Sequence, residues 1–181
     1  MLRHFFIEQM SMYSSYHRDL RNRATHFVGV PVIAFSLLIP MSLLELFTLG
    51  GYTITLATLF LVVMSVFYLL CDLGLGVVLL AFNVVLLLIA DGIAEEGAVI
   101  AWIAFAGFFI GGWIVQLIGH AFEGRKPALT DNLLQVLVAP MFLVAESAFA
   151  FGWRKDLHDA VEKRWRNYLP KGEGRHHAPA H

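Results

Sequence analysis

Five long apolar stretches, residues 27–49, 53–71, 73–90, 98–119 and 133–152, decide what this chain can fold into. Each approaches or reaches the roughly 20 residues that a helix needs to cross a hydrocarbon core. Only 15% of the residues are charged and 58% are hydrophobic, with a mean hydropathy of +0.68. A soluble domain cannot hide that fraction of apolar surface, so the expected class is all-α, a polytopic membrane helix bundle. The net charge of -1 carries no nucleic-acid footprint. The single cysteine, Cys71, cannot form an intrachain disulfide. Residues 1–26 hold four arginines and no continuous apolar run, which does not read as a signal peptide.

The connections orient the bundle. Basic residues cluster in residues 1–26 (Arg3, Arg18, Arg21, Arg23), in the loop 121–132 (Arg125, Lys126) and in residues 153–181. The connections at 50–52, at Asp72 and at 91–97 carry none. If basic segments face the cytoplasm, an N-terminus on that side and four spans return the 121–132 loop to the same side. A fifth full span would place the basic C-terminal segment outside. Pro140 and Glu146 interrupt 133–152, so the expectation is four spans plus a proline-broken fifth helix that re-enters or lies obliquely. Residues 1–26 and 153–169 read as amphipathic helices at the membrane interface, flanking a bundle over 27–152. Trp153, Leu157, Val161, Trp165 and Tyr168 recur near helical spacing among basic residues; a helix packed on a protein neighbour would show the same stripe. Residues 170–181 read as a disordered tail.

This topology brings distant polar residues to one membrane face. His26 stands at the start of the first span, His120 at the end of the fourth, and His17 precedes His26. Asn22 and His26 are spaced i,i+4, as are Gln116 and His120, while Glu123 follows His120 by three residues. His17 and His26 are nine residues apart, about half a turn out of phase on a straight helix, so they share a centre only if the chain bends between them. Converging imidazoles suit iron, zinc or copper. Asn22, Gln116 or Glu123 could then hold the outer ring nitrogens. His4, His158, His176, His177 and His181 carry no such support. The chain lacks GxSxG, Walker and CxxC motifs, the closely spaced histidine boxes of membrane desaturases, and paired histidines facing each other within the spans. Asn83 and Glu45 are isolated polar residues that read as helix-to-helix or interfacial partners. The residues are compatible with a zinc-dependent membrane hydrolase acting on lipid with Glu123 as base, and with a small channel, carrier or scaffold whose histidines cap helix ends.

"YHRDLRNRATHFVGVP" (16–31) and "QLIGHAFEGRKPALTDN" (116–132) resemble the two histidine motifs of the Mpo-type 2-hydroxy fatty acid dioxygenases, and "APMFLVAE" (139–146) resembles their closing segment. The resemblance runs from residue 16 to about 153. It implies an integral membrane, Fe(II)-dependent dioxygenase of fatty-acid α-oxidation that uses O2 to shorten a long-chain 2-hydroxy fatty acid by one carbon. Carried over by motif, His17, His26 and His120 are the expected iron ligands, and Asn22 and Glu123 match the other polar positions. A 2-hydroxy acid offers a carboxylate and an adjacent hydroxyl, a chelating pair for such a metal. Arg21, Arg125 and Lys126 are candidates to meet the carboxylate. The expected setting is a bacterial inner membrane or endoplasmic reticulum membrane, with the site at the cytoplasmic face.

Overall fold

The computed structural model describes residues 2–124 and 134–169. The chain is a helical bundle of membrane type, with seven α-helices among the described residues: α1 (Leu2–Tyr16), α2 (Leu20–Ser42), α3 (Leu56–Cys71), α4 (Leu73–Glu95), α5 (Ala98–Glu123), α6 (Leu134–Ala150) and α7 (Lys155–Glu162). Three of them, α2, α4 and α5, are long and apolar enough to cross a membrane. Their 23 to 26 residues give lengths of about 34–39 Å at 1.5 Å per residue. Their outer faces remain apolar and open, with Ile103 69%, Val99 74% and Leu88 59% exposed. An apolar surface of this extent has lipid as its natural solvent.

Two sequence expectations need correction. The apolar stretch 27–49 is not one helix, because α2 ends at Ser42 and the chain turns into an antiparallel hairpin, β1 (Glu45–Leu49) and β2 (Tyr52–Thr55). Gly50 and Gly51 both take positive φ (58° and 84°), the turn that matches the twist of paired strands. Thr48, Thr53, Ile54 and Thr55 supply the β-branched residues that favour extended backbone. The remainder of the second stretch, α3, is 16 residues long, about 24 Å and short of the hydrocarbon thickness. Expected spans therefore number four, and observed long spans number three, or up to four if the bent pair α6–α7 is counted as one.

The sequence places a break at Pro140. The proline does not break α6, which stays helical from Leu134 to Ala150. A proline gives no N–H to the carbonyl four residues back and loosens that turn. The Tyr68 hydroxyl donates to Leu137 O in the same turn at 2.9 Å. The break lies later, where Gly152 (φ 71°) and Arg154 (φ 59°) turn α7 by 113° from α6. Asp72 secures this corner: its carboxylate caps α4 by accepting from Leu75 N at 3.1 Å, and it also pairs with Arg154. Glu146, the carboxylate expected to be costly inside lipid, pairs with Arg23 of α2.

The terminal amphipathic helices cover one another. Phe6, Met10 and Tyr13 of α1 are buried in one cluster with Phe142 of α6 and with Leu157 and Val161 of α7. Trp165, in a short 3-10 turn after α7, is buried too. Much of their apolar stripes therefore packs on protein, as Phe6, Met10, Tyr13, Leu157, Val161 and Trp165 show, while Trp153 stays 44% exposed. A second cluster, built on Phe35, Leu38, Ile39, Leu61 and Leu87, joins α2, α3, α4 and α5 at the other end. The tail 170–181 lies outside the described residues.

Helices α2 and α5 approach closely enough that small residues are required between them. A Cβ on Gly119 would fall 2.0 Å from Thr25 Oγ1 and 2.6 Å from Asn22 Oδ1, and one on Gly112 would fall 2.7 Å from Ile33 Cγ1. Around Gly111, one residue away, nothing lies within 4 Å. Gly119→Ala is expected to destabilise the protein by about 1–3 kcal/mol through overpacking. Gly111→Ala is expected to stabilise it by about 0.5–1 kcal/mol by restricting the unfolded chain. Unfolding in detergent micelles, followed by circular dichroism, checks both signs.

Candidate metal centre

His17 lies in the short join between α1 and α2, His26 in the second turn of α2, and His120 in the last turn of α5. The join supplies the bend that the nine-residue spacing demands. Tyr16 ends α1, and Asp19 caps α2 by accepting from Arg21 N at 2.8 Å. The chain reverses over those three residues and brings His17 Nε2 to 3.0 Å from His26 Nε2. The antiparallel packing of α5 on α2 then delivers His120. Its ring centroid is 4.9 Å from that of His26 and 5.5 Å from that of His17. One nitrogen from each of the three rings lies within 4.8 Å of the other two. All three side chains are buried.

Two backbone carbonyls orient the rings. His17 Nδ1 donates to Tyr13 O at 2.7 Å, and His26 Nδ1 donates to Asn22 O at 2.8 Å. With the proton on Nδ1, each Nε2 presents a lone pair, and the two lone pairs face each other. That arrangement is repulsive in an empty site and favourable around a cation. The 3.0 Å separation is what two neighbouring imidazoles adopt on one ion at bond lengths of about 2.1 Å. A shared proton is the competing way to relieve the repulsion, and burial opposes it. Desolvation first, and the neighbouring His26 second, hold the His17 imidazole well below its ordinary pKa, so it stays neutral. The ring of Tyr13 stacks on His17 with centroids 4.0 Å apart and planes 9° from parallel. Three converging imidazoles form a donor set for a first-row transition metal such as iron or zinc.

A cavity of about 170 Å³ opens beneath the rings. His17, His26 and His120 form one end of its wall, and Leu37, Leu38, Phe60, Leu61 and Leu86 are among the residues farther along. His26 and Leu38 are twelve residues apart on one helix, which places the ends about 18 Å from each other. The lining is overwhelmingly apolar, with Gln116, Gln135, Asn83, Tyr13 and Tyr68 as its further polar residues. The site thus joins a polar, metal-competent head to an apolar tail.

Other residues singled out from the sequence are placed differently. Asn22 is fully buried between α2 and α5. It serves His26 through its main-chain carbonyl, while its side-chain amide donates to Tyr16 O at 3.5 Å. The expected amide or carboxylate partners of the outer ring nitrogens are therefore, for His17 and His26, backbone carbonyls one helical turn upstream. Arg21 stays outside the cavity. Its guanidinium forks onto Asp19 at 2.7 and 3.1 Å and covers the ring of Phe122, and Arg21 in return holds the Asp19 carboxyl down at about 2. The Glu123 side chain, Arg125 and Lys126 lie outside the described residues. Tyr13, Trp113 and Gln135 line the cavity without having been singled out. For Tyr13 the signal was available, since it precedes His17 by one helical turn.

The family model "2-hydroxy-palmitic acid dioxygenase Mpo1-like" matches residues 4–150. The 2-hydroxy-palmitic acid dioxygenase MPO1 of Saccharomyces cerevisiae is 36% identical over 156 residues, covering 85% of this chain and 86% of the yeast protein. No solved structure matches the chain. All three cavity-facing histidines fall inside the matched region. The chain belongs to the Mpo1-like family.

Proposed function

We propose that this protein is a membrane-embedded, Fe(II)-dependent dioxygenase that cleaves long-chain 2-hydroxy fatty acids with O2 to acids one carbon shorter. The reading is carried by one observation: three buried imidazoles, two of them with fixed tautomers, converge at the head of an apolar cavity. Membership in a family named for a 2-hydroxy-palmitic acid dioxygenase supports an oxidoreductase and supplies the substrate class. The apolar outer faces of α2, α4 and α5 support a membrane setting, and the basic N-terminal segment supports a site at the cytoplasmic face.

His17, His26 and His120 would hold the iron. Bound there, Fe(II) supplies the one-electron chemistry with O2 that side chains lack. The carbonyls of Tyr13 and Asn22 keep two of the rings turned inward, so the donor set needs no rearrangement. The apolar wall takes the acyl chain, each buried methylene contributing about 0.8 kcal/mol, and this fixes the carboxylate and 2-hydroxyl at the imidazole end. Positioning of the C1–C2 bond beside the histidines is the protein's main contribution to catalysis. A lipid-borne substrate keeps its tail in an apolar medium throughout, since the cavity lies within the bundle that spans the bilayer.

Protein purified anaerobically with Fe(II) is expected to hold about one iron per chain and to consume O2 with 2-hydroxypalmitate and not with palmitate. His17→Ala, His26→Ala and His120→Ala are each expected to lose iron affinity by about 100-fold or more and to lose oxygen uptake. A His120→Ala protein with full iron and activity would refute the assignment. Bound zinc without oxygen uptake would point instead to a hydrolase.

The pH dependence of the iron-free protein has a definite sign. The folded His17 refuses a proton that the unfolded chain takes up near pH 6.5. Stability is therefore full above that pH and falls as pH drops below it, by up to about 1.4 kcal/mol per pH unit for this group. Melting temperatures recorded from pH 7.5 to 5 should show this decline, and His17→Gln should make it shallower.

A further inference from the structure

Gln116 is a buried polar side chain that the metal centre does not use. It lines the cavity, is only 9% exposed, and precedes His120 by one helical turn. Its amide oxygen is shut off from solvent and meets no donor among the described residues. The packing makes room for it, because a Cβ on Gly29 would come within 2.8 Å of Gln116 Cγ. An aliphatic side chain would fill the same space without stranding a carbonyl. A buried acceptor without a donor is destabilising and calls for an explanation. Gln135 also has an undonated oxygen in the cavity wall, but its amide nitrogen is tied to Gln9 at 2.7 Å, and its helix carries none of the three histidines.

We propose that Gln116 reads the 2-hydroxyl group of the substrate by accepting its hydrogen bond. The inference rests on the function proposed above and deepens it by naming a specificity residue. Side chains spaced i,i+4 stand about 5–6 Å apart on a helix. Gln116 is therefore next to the point where the imidazoles converge and on the tail side of it, where C2 would lie. An amide oxygen accepts a hydrogen bond without taking the proton, so Gln116 selects and orients the hydroxyl. A plain fatty acid presents C–H at that position and leaves the oxygen stranded. Sites built to hydrogen-bond a hydroxyl reject the analogue that lacks it.

The test uses the full chain, purified anaerobically with Fe(II), and reads ligand binding through tryptophan fluorescence, since Trp113 lines the cavity. Dissociation constants are compared for 2-hydroxypalmitate, palmitate and 2-fluoropalmitate, whose fluorine resembles a hydroxyl in size and cannot donate. The unsubstituted protein is expected to prefer 2-hydroxypalmitate to both others. Gln116→Met should cut that preference by about tenfold, with palmitate affinity and iron content unchanged and a melting temperature no lower than that of the unsubstituted protein. A variant that keeps the preference, or weakens all three ligands equally, overturns the role of Gln116 and leaves the proposed function standing. An unsubstituted protein with no preference overturns both. If Gln116→Met does not fold, the fluorinated acid decides on the unsubstituted protein prepared without iron, where the hydroxyl has no metal to chelate: binding as tight as that of the hydroxy acid overturns the inference, and weaker binding supports it.

Discussion

The close approach of α2 and α5 governs the geometry of the site. Gly119 faces Thr25 and Asn22, Gly112 faces Ile33, and Gly29 faces Gln116. Each contact leaves room for a hydrogen and not for a methyl group. In lipid, where apolar burial does not favour helix association, such small-residue packing is a principal source of affinity between spans. Its side effect is registration. Because Gly119 locks against Asn22 and Thr25, the neighbouring His120 is set against His26 within a fraction of a helical turn. The residues that fix α2 to α5 and two of the histidines of the candidate metal centre alternate along the same turns.

Polar groups around this core are arranged in pairs, which explains how a chain so apolar tolerates them. Arg23 answers Glu146, and Arg154 answers Asp72, each joining elements far apart in sequence. A buried pair of this kind is not a strong source of stability, yet losing either partner strands a charge. Their value here is positional: one ties α2 to α6 and the other sets the corner that turns α7 back over α1. The rings of Tyr13 and Phe142 pack against His17 and help keep it dry, and dryness keeps it neutral.

Much of this was legible in the sequence because side-chain identity carries it. The spans α4 and α5 follow from apolar length; the meeting of His17, His26 and His120 was expected from a parity of four spans, and it holds with three long helices because α5 packs antiparallel on α2. The bend between His17 and His26 was required by their phase, and the chain supplies it between Tyr16 and Asp19. What escaped depends on backbone. The hairpin at 45–55 reads as a continuation of an apolar run until Gly50 and Gly51 take positive φ. The partners of His17 and His26 are carbonyls, which every residue possesses, so no residue type at i−4 announces them. Pro140 looked like a break, and a tyrosine hydroxyl from another helix supports the loosened turn. The amphipathic stripes of α1 and α7 were visible, but whether such a stripe meets lipid or protein is decided by the tertiary fold.

The deviations from regular spans are also what make the cavity. A bundle of full-length, straight helices would close on itself at the packing density of a protein interior. Here α3 is short, and α6 bears a proline where it borders the space. Residues from both, together with α2, α4 and α5, line one void that starts at the histidines. The three imidazoles and Gln116 stand at one end, and the rest of the wall is mostly leucine, phenylalanine and other apolar residues, with Asn83 near Leu86 as a polar exception. An amphiphile can enter such a space productively in one direction only, since reversal would press a carboxylate against an apolar floor and strand the polar atoms at the head. The wall by itself would thus orient a lipid-like ligand.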